Sequence, residues 1–215
     1  QTIQNRTSDP KTSASSAWSS GGNMNDARAA AFGSGGVQTA AISFGGAAGT
    51  PDTGNENYNG TSWTENAAMN NGYGYATGTG SQTDAIAIGG LTGGGASSSI
   101  KTSTEEWNGS SWTAGGSIST GRYNVYNQAY GPGSAAGFVG GKNPGFAIQD
   151  LHEQYNGSSW TEVGDTPAPA WLGSSAGVQT ANILMGGAFS GSTSAESFTW
   201  DGSSWTDIGT YNTAR

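Results

Sequence analysis

Tyr58-Asn59-Gly60-Thr61-Ser62-Trp63-Thr64 recurs as Trp107-Asn108-Gly109-Ser110-Ser111-Trp112-Thr113, as Tyr155-Asn156-Gly157-Ser158-Ser159-Trp160-Thr161, and as Trp200-Asp201-Gly202-Ser203-Ser204-Trp205-Thr206. An Asn-Gly or Asp-Gly pair tolerates the positive φ of a tight hairpin turn, and flanking aromatic, Ser and Thr residues favour strands on either side. Four copies make the chain an array of one β unit, and the period of the array is the first thing that constrains its architecture.

Working outward, the second aromatic of each copy aligns as Trp18, Trp63, Trp112, Trp160 and Trp205, at steps of 45, 49, 48 and 45 residues. No sustained 3.6-residue apolar rhythm is present, so helical repeats of similar length are excluded. Each period also holds a short apolar run ending in Gly-Gly: Ala41–Gly46, Ala85–Gly90, Gly137–Gly141 and Ile183–Gly187. Such a run reads as a buried strand stopped by glycine. A small-residue stretch such as Arg28–Gly33 precedes it, joined by a polar turn such as Gly36-Val37-Gln38-Thr39 or Gly177-Val178-Gln179-Thr180. Each unit is therefore expected to hold four strands: small-residue, apolar, aromatic and Trp. A connector runs from each Trp to a position ten residues on, occupied by Arg28, Tyr73, Arg122, Ala170 and Arg215. Five Trp strands thus accompany only four Gly-Gly strands.

The order of Gly-Gly strand, aromatic, polar hairpin and Trp at this period resembles the kelch repeat over roughly residues 18–215. The phrase Asn-Gly-Ser-Ser-Trp-Thr also looks like the kelch-like arrays of phage and marine bacterial surface proteins. That resemblance implies a β-propeller, in which four-stranded blades surround a central channel. The expected fold is all-β: four kelch-like blades, at about 28–68, 73–117, 122–165 and 170–210, within a propeller at 21–215. Residues 1–20 form an N-terminal arm with an extra strand at Trp18. The surplus strand has two readings. It can cover the edge of the closing blade, or neighbouring chains can complete one another's units by strand addition.

Composition bounds the rest. The apolar share is 33%, below the usual ~45–50%, while Gly numbers 38, so bulk must come from the 8 Trp and 8 Tyr. Glycine- and serine-rich chains can stay disordered, but regular spacing of tryptophans argues for a packed repeat. The net charge of −8, with 7 Lys and Arg dispersed singly, lacks the basic footprint that nucleic acid or an anionic membrane surface requires. No apolar run approaches the ~20 residues of a membrane span. The absence of cysteine excludes disulfides, thiolate metal sites and cysteine nucleophiles. A first residue Gln1 without a charged-then-apolar leader suggests a processed or partial chain. Low lysine, acidity and Ser/Thr/Gly/Asn richness lean towards an extracellular or virion-surface location.

Candidate sites are few. Asn5, Asn59, Asn108 and Asn156 lie in Asn-X-Ser/Thr sequons, but Asp201 in the same slot favours turn chemistry over sugar attachment. Trp18, Trp63, Trp112, Trp160 and Trp205 are expected in the repeat core. Trp171 breaks the repeat where other copies carry Ala29, Gly74 and Tyr123; with Tyr123, Tyr126 and Tyr130 it makes the best candidate ligand-binding patch. Acidic residues recur at Glu56, Glu105 and Glu153, and at Glu65, Glu162 and Asp207. One per blade, they are expected as solvated residues on outer strands rather than as the six to eight converging oxygens of a calcium site. The kelch resemblance brings in galactose oxidase-like copper enzymes, whose Tyr–Cys crosslink and histidine ligands are not available in a chain with no Cys and a single His, His152. A triad would need that His beside a Ser and an acid, and a glycosidase would need two positioned carboxylates among the 15 acids, of which no pair stands out. Gly93-Gly94-Gly95 has no phosphate-loop lysine.

The expected function is a non-catalytic structural or adhesion protein of a virion or cell surface. It would need no cofactor and no metal, and would assemble through its repeat ends with other copies or other surface proteins. The alternatives are a lectin-like propeller binding glycans, and a glycosidase or lyase.

Overall fold

The computed structural model describes residues 21–29, 33–46, 51–92, 99–123, 129–189 and 192–210. Trp18, Tyr126 and Arg215 lie outside them. The chain is all-β, and its strands follow the repeat. The first unit holds β1 (Gly33–Val37), β2 (Ala40–Phe44), β3 (Asn55–Tyr58) and β4 (Trp63–Glu65). The second holds β5 (Thr77–Ser81), β6 (Asp84–Ile88), β7 (Thr104–Trp107) and β8 (Trp112–Ala114). The third holds β9 (Ala129–Tyr130), β10 (Gly137–Val139), β11 (His152–Tyr155) and β12 (Trp160–Glu162), with a 3-10 turn at Gly133–Ala135 between its first two strands. Next comes β13 (Ala170–Trp171). A fourth unit of β14 (Ser174–Val178), β15 (Ala181–Met185), β18 (Glu196–Trp200) and β19 (Trp205–Thr210) is interrupted by β16 (Ala188–Phe189) and β17 (Ser192–Thr193). Strands β13, β16 and β17 form a separate three-stranded ribbon.

Each unit is an antiparallel meander in chain order. The tandem of strand and turn that the repeat demanded is present, with two adjustments: Arg28 lies outside the strand, which is described over Gly33–Val37, and the turn proper is Gln38-Thr39. The first strands of successive units lie side by side. β1 and β5 pair in parallel through Gly33 and Gly78, joining the first two units into one sheet of eight strands. That approach explains the glycines. A Cβ on Gly33 would lie 2.0 Å from the ring of Phe44, and one on Gly35 would lie 2.0 Å from the carbonyl oxygen of Gly80. In all four Gly-Gly pairs both residues have positive φ, as at Gly140 (65°) and Gly141 (95°), a backbone that a side chain would strain.

The core lies in the seams between units. Ile42 and Phe44 of the first unit meet Ala85, Ala87, Trp107 and Trp112 of the second. Ile86 and Ile88 meet Ala136, Phe138 and Tyr155 of the third, with Trp160 against them. Val139 meets Leu184 and Phe198 of the fourth, with Trp205 against them. The second strand of a unit faces both neighbours, which is why β6 is buried at both Ala87 and Ile88 rather than alternating. Of the tryptophans expected in the repeat core, Trp112 (5% exposed) and the half-buried Trp160 and Trp205 sit in these seams, whereas Trp63, half-buried, packs on Tyr58 of its own unit outside them.

Candidate functional site

The hairpin phrase is built by its first residue. Asn59, Asn108, Asn156 and Asp201 each accept two backbone N–H bonds through Oδ1, at i+2 and i+3; for Asn156 these come from Ser158 (3.0 Å) and Ser159 (2.9 Å). An oxygen is all the slot requires, so Asp201 serves as well as Asn. The hydroxyl of Ser203 and the N–H groups of Ser204 and Ser203 hold the Asp201 carboxyl down to about 2.

Of the acidic residues expected on solvated outer strands, Glu65, Glu162 and Asp207 are exposed, but Glu56 (0%), Glu105 (1%) and Glu153 (1%) are buried. The reason is that the connector arriving from the preceding Trp strand supplies hydrogen-bond donors to them. Asn25 N–H and Asp26 N–H donate to Glu56. Asn70 and Asn71 donate to Glu105 through both backbone and side chain, at 2.8–3.0 Å. Ser119 N–H donates to Glu153 (2.9 Å). Burial alone would raise the Glu56 carboxyl, but the bonds from Asn25, Arg28 and Asp26 hold it below the usual value.

The tenth residue of the connector completes the arrangement. Arg28 bridges Asp52 (2.5 Å) and Glu56 (3.1 Å). Arg122, fully buried, pairs with Glu153 and donates to the carbonyls of Gly140 (3.0 Å) and Leu151 (2.8 Å), with its guanidinium 3.8 Å from the centre of the Phe138 ring. Burial pulls Arg122 down to about 10 against the pull of Glu153, so it is charged at neutral pH. At the corresponding place the fourth unit has Ala170 and Phe198, an apolar version of the same lock. The connector arginines were aligned in the sequence, but their pairing with the recurring glutamates was not anticipated; the signal was that Arg and Glu recur together in the first and third units and vanish together from the fourth.

His152, the single histidine, is fully buried in a seam. Its Nε2 lies 2.5 Å from the hydroxyl of Tyr130 and its Nδ1 3.3 Å from the carbonyl of Gly164, while Trp200 and Trp205 pack on the ring. An Nδ1–H donating to Gly164 leaves Nε2 to accept from Tyr130. Burial, chiefly, pulls the imidazole down to about 4. Tyr130 itself is 2% exposed, and burial pushes its phenol up to about 12. It therefore leaves the candidate ligand patch: its ring faces Gly137 and His152, where no ligand can reach it.

Two of the remaining patch residues are brought together. Tyr123 pairs in a β-bridge with Lys142, whose ammonium lies 3.4 Å from the centre of the Trp171 ring. Phe146, missed in the sequence, packs edge-on against Tyr123 at 6.2 Å and is 54% exposed. Phe146 (φ 62°) and Leu172 (φ 59°) are exposed apolar residues in left-handed backbone, as is Tyr75 (φ 52°) at the repeat position matching Leu172. Such conformations cost of order 1–3 kcal/mol each and gather at binding edges. Among the described residues no three His, Asp or Glu converge as a metal site, and no helix is long and apolar enough to cross a membrane.

No family model matches the chain, and no curated protein matches it. Among solved structures the chain is similar to one titled "Structure of YjhT", at 13% identity and a TM-score of 0.70, over 88% of this chain and 68% of that one. At that identity the likeness concerns the fold alone; the chain's own four-stranded antiparallel sheets are consistent with a propeller-like arrangement.

Proposed function

We propose that the chain is a non-catalytic structural or adhesion protein of a virion or cell surface, built from four kelch-like blades. One observation carries this reading: the side chains that most enzymes would use are committed to packing. Glu56, Glu105 and Glu153 cap connectors, Arg28 and Arg122 neutralise two of them, and the imidazole of His152 is wedged between tryptophans. The outward-facing residues are Ser, Thr, Asn and Gly at the hairpin tips, a hydrated surface suited to a particle exterior. Localisation by antibody labelling of the native particle or cell tests this, with surface labelling expected. Turnover of a polysaccharide that is lost on Glu162→Gln or Asp207→Asn, two exposed acids, would overturn it in favour of a glycosidase or lyase.

A lectin-like reading is favoured by a second observation, the edge formed by Tyr123, Lys142, Phe146 and Trp171. The exposed ring of Phe146, beside the half-buried Tyr123 and the Lys142 ammonium over Trp171, suits the apolar face and hydroxyls of a sugar ring. A glycan array with the wild type and with Phe146→Ser decides it; binding that is equal in both removes this edge as the sugar site.

A further inference from the structure

The three seams are made of repeating parts, and the chain carries both halves of a fourth seam that find no partner among the described residues. On the side of each unit that faces the next, the second strand presents a pair of positions in matching register: Ile42 and Phe44, Ile86 and Ile88, Gly137 and Val139, then Ile183 and Met185. The first three pairs are buried. In the fourth unit Ile183 is half-exposed and Met185 is 37% exposed, and beside them Val178 on β14 is 49% exposed. The opposite half is on the first unit. Its aromatic pair, Tyr58 and Trp63, is half-buried, whereas Trp107, Tyr155 and Trp200 at the Tyr58 position are 1–3% exposed.

A polar clamp repeats in the same way. Gln82, in the turn between β5 and β6, donates to the carbonyls of Ala41 (2.9 Å) and Tyr58 (2.8 Å) of the preceding unit. Gln179, between β14 and β15, donates to Ala136 (3.0 Å) and Tyr155 (2.6 Å) of its preceding unit. Gln38 holds that place in the first unit. It is exposed, Val37 beside it is 66% exposed, and its amide meets no acceptor among the described residues. The acceptors it would need, by register, are the carbonyls of Asn182 and Trp200, at the other end of the array.

We infer that the outer face of the fourth unit (Ile183, Met185, Val178) docks the first unit of a second copy of this chain, head to tail, with Gln38 of the incoming copy clamping the Asn182 and Trp200 carbonyls. The occupant is a copy because the face continues an interface already used three times within the chain, and because its complement in side-chain type and register is the chain's own first unit. The two faces differ, so the contact is heterologous and propagates into rings or filaments rather than stopping at a symmetric dimer. This deepens the assembly reading above and rests on it.

The test uses two exposed positions that can be changed without touching a core. Wild type should self-associate over about a hundredfold range of concentration in sedimentation velocity. Met185→Arg blocks the fourth-unit face, and Gln38→Arg blocks the first-unit face. Each variant alone should sediment as a protomer with wild-type circular dichroism. An equimolar mixture should give a dimer and nothing larger, because one open face of each kind remains. A wild type that stays a protomer throughout, including one closed on itself, would overturn the inference, as would a mixture that stays protomeric. Assembly that forms but resists both substitutions would remove this interface while leaving an assembling surface protein intact.

Discussion

At the scale of single residues, the hairpin phrase was readable because its chemistry is local. Asn156 needs only one side-chain oxygen at the right distance from two N–H groups, and Asp201 meets that requirement with the same geometry. Asn156→Asp should therefore leave stability within about 0.5 kcal/mol of wild type, whereas Asn156→Ala loses both bonds at an exposed turn and should cost about 1 kcal/mol. Urea midpoints of the two variants check this. His152 was not readable in the same way, because its environment is assembled from Tyr130, Gly164 and Trp200, which are far apart in sequence. Its folded pKa of about 4 lies below the ordinary 6.5, so the unfolded chain binds the extra proton between those values. The seam's stability is full above pH 6.5 and should fall as pH drops towards 4, by on the order of 3 kcal/mol for this one group. Thermal midpoints of wild type and His152→Gln between pH 7 and pH 4 measure it; the wild type should lose more on acidification than the variant.

At the scale of elements, the repeat made strand order and strand type legible, since apolar runs, Gly-Gly stops and turn residues are all short-range signals. The fate of Glu56, Glu105 and Glu153 was not legible, although Glu65, Glu162 and Asp207 are exposed. One glutamate per unit at a β-strand position reads as solvent-facing, and only the path of the connector, which returns to lie against the next unit, buries it. The membership of the binding patch was only partly legible for a similar reason: Tyr130 is buried on an inner strand, while Phe146 enters from an excursion after Gly140-Gly141 whose course the repeat does not specify. The variation between units gives a direct test of the lock. Arg122 and Glu153 occupy the positions of Ala170 and Phe198 one unit later. Removing one partner of a buried pair leaves the other charge without compensation, so Arg122→Ala should destabilise the protein by about 3–5 kcal/mol. Combining it with Glu153→Phe installs the apolar lock of the fourth unit. The double variant should recover at least half of that loss, and a double-mutant cycle in urea reads the coupling directly.

At the scale of the whole molecule, stability in a linear array is a sum over units and their seams, and the terminal units have one seam fewer. The first three units bury the next-facing pair of their second strand, whereas in the fourth Ile183 and Met185 are partly exposed. The sequence could count units, because each carries its own phrase. It could not say whether the last meets the first, because Ile183 and Met185 look no different from Ile86 and Ile88 until their exposure is known. The missing seam predicts a gradient of local opening. Amides of β15 should exchange with solvent at a lower opening free energy than those of β6, although both strands have five residues and pair on both edges. Hydrogen exchange followed by mass spectrometry measures this in dilute protein. β6, clasped between Phe44 on one side and Phe138 on the other, should be the last strand to open. Leu184→Ala, which weakens the seam joining the fourth unit to the third, should lower protection in β15 and β18 by far more than in β6. Equal loss across all four units would mean that the array opens as a single cooperative block rather than unit by unit.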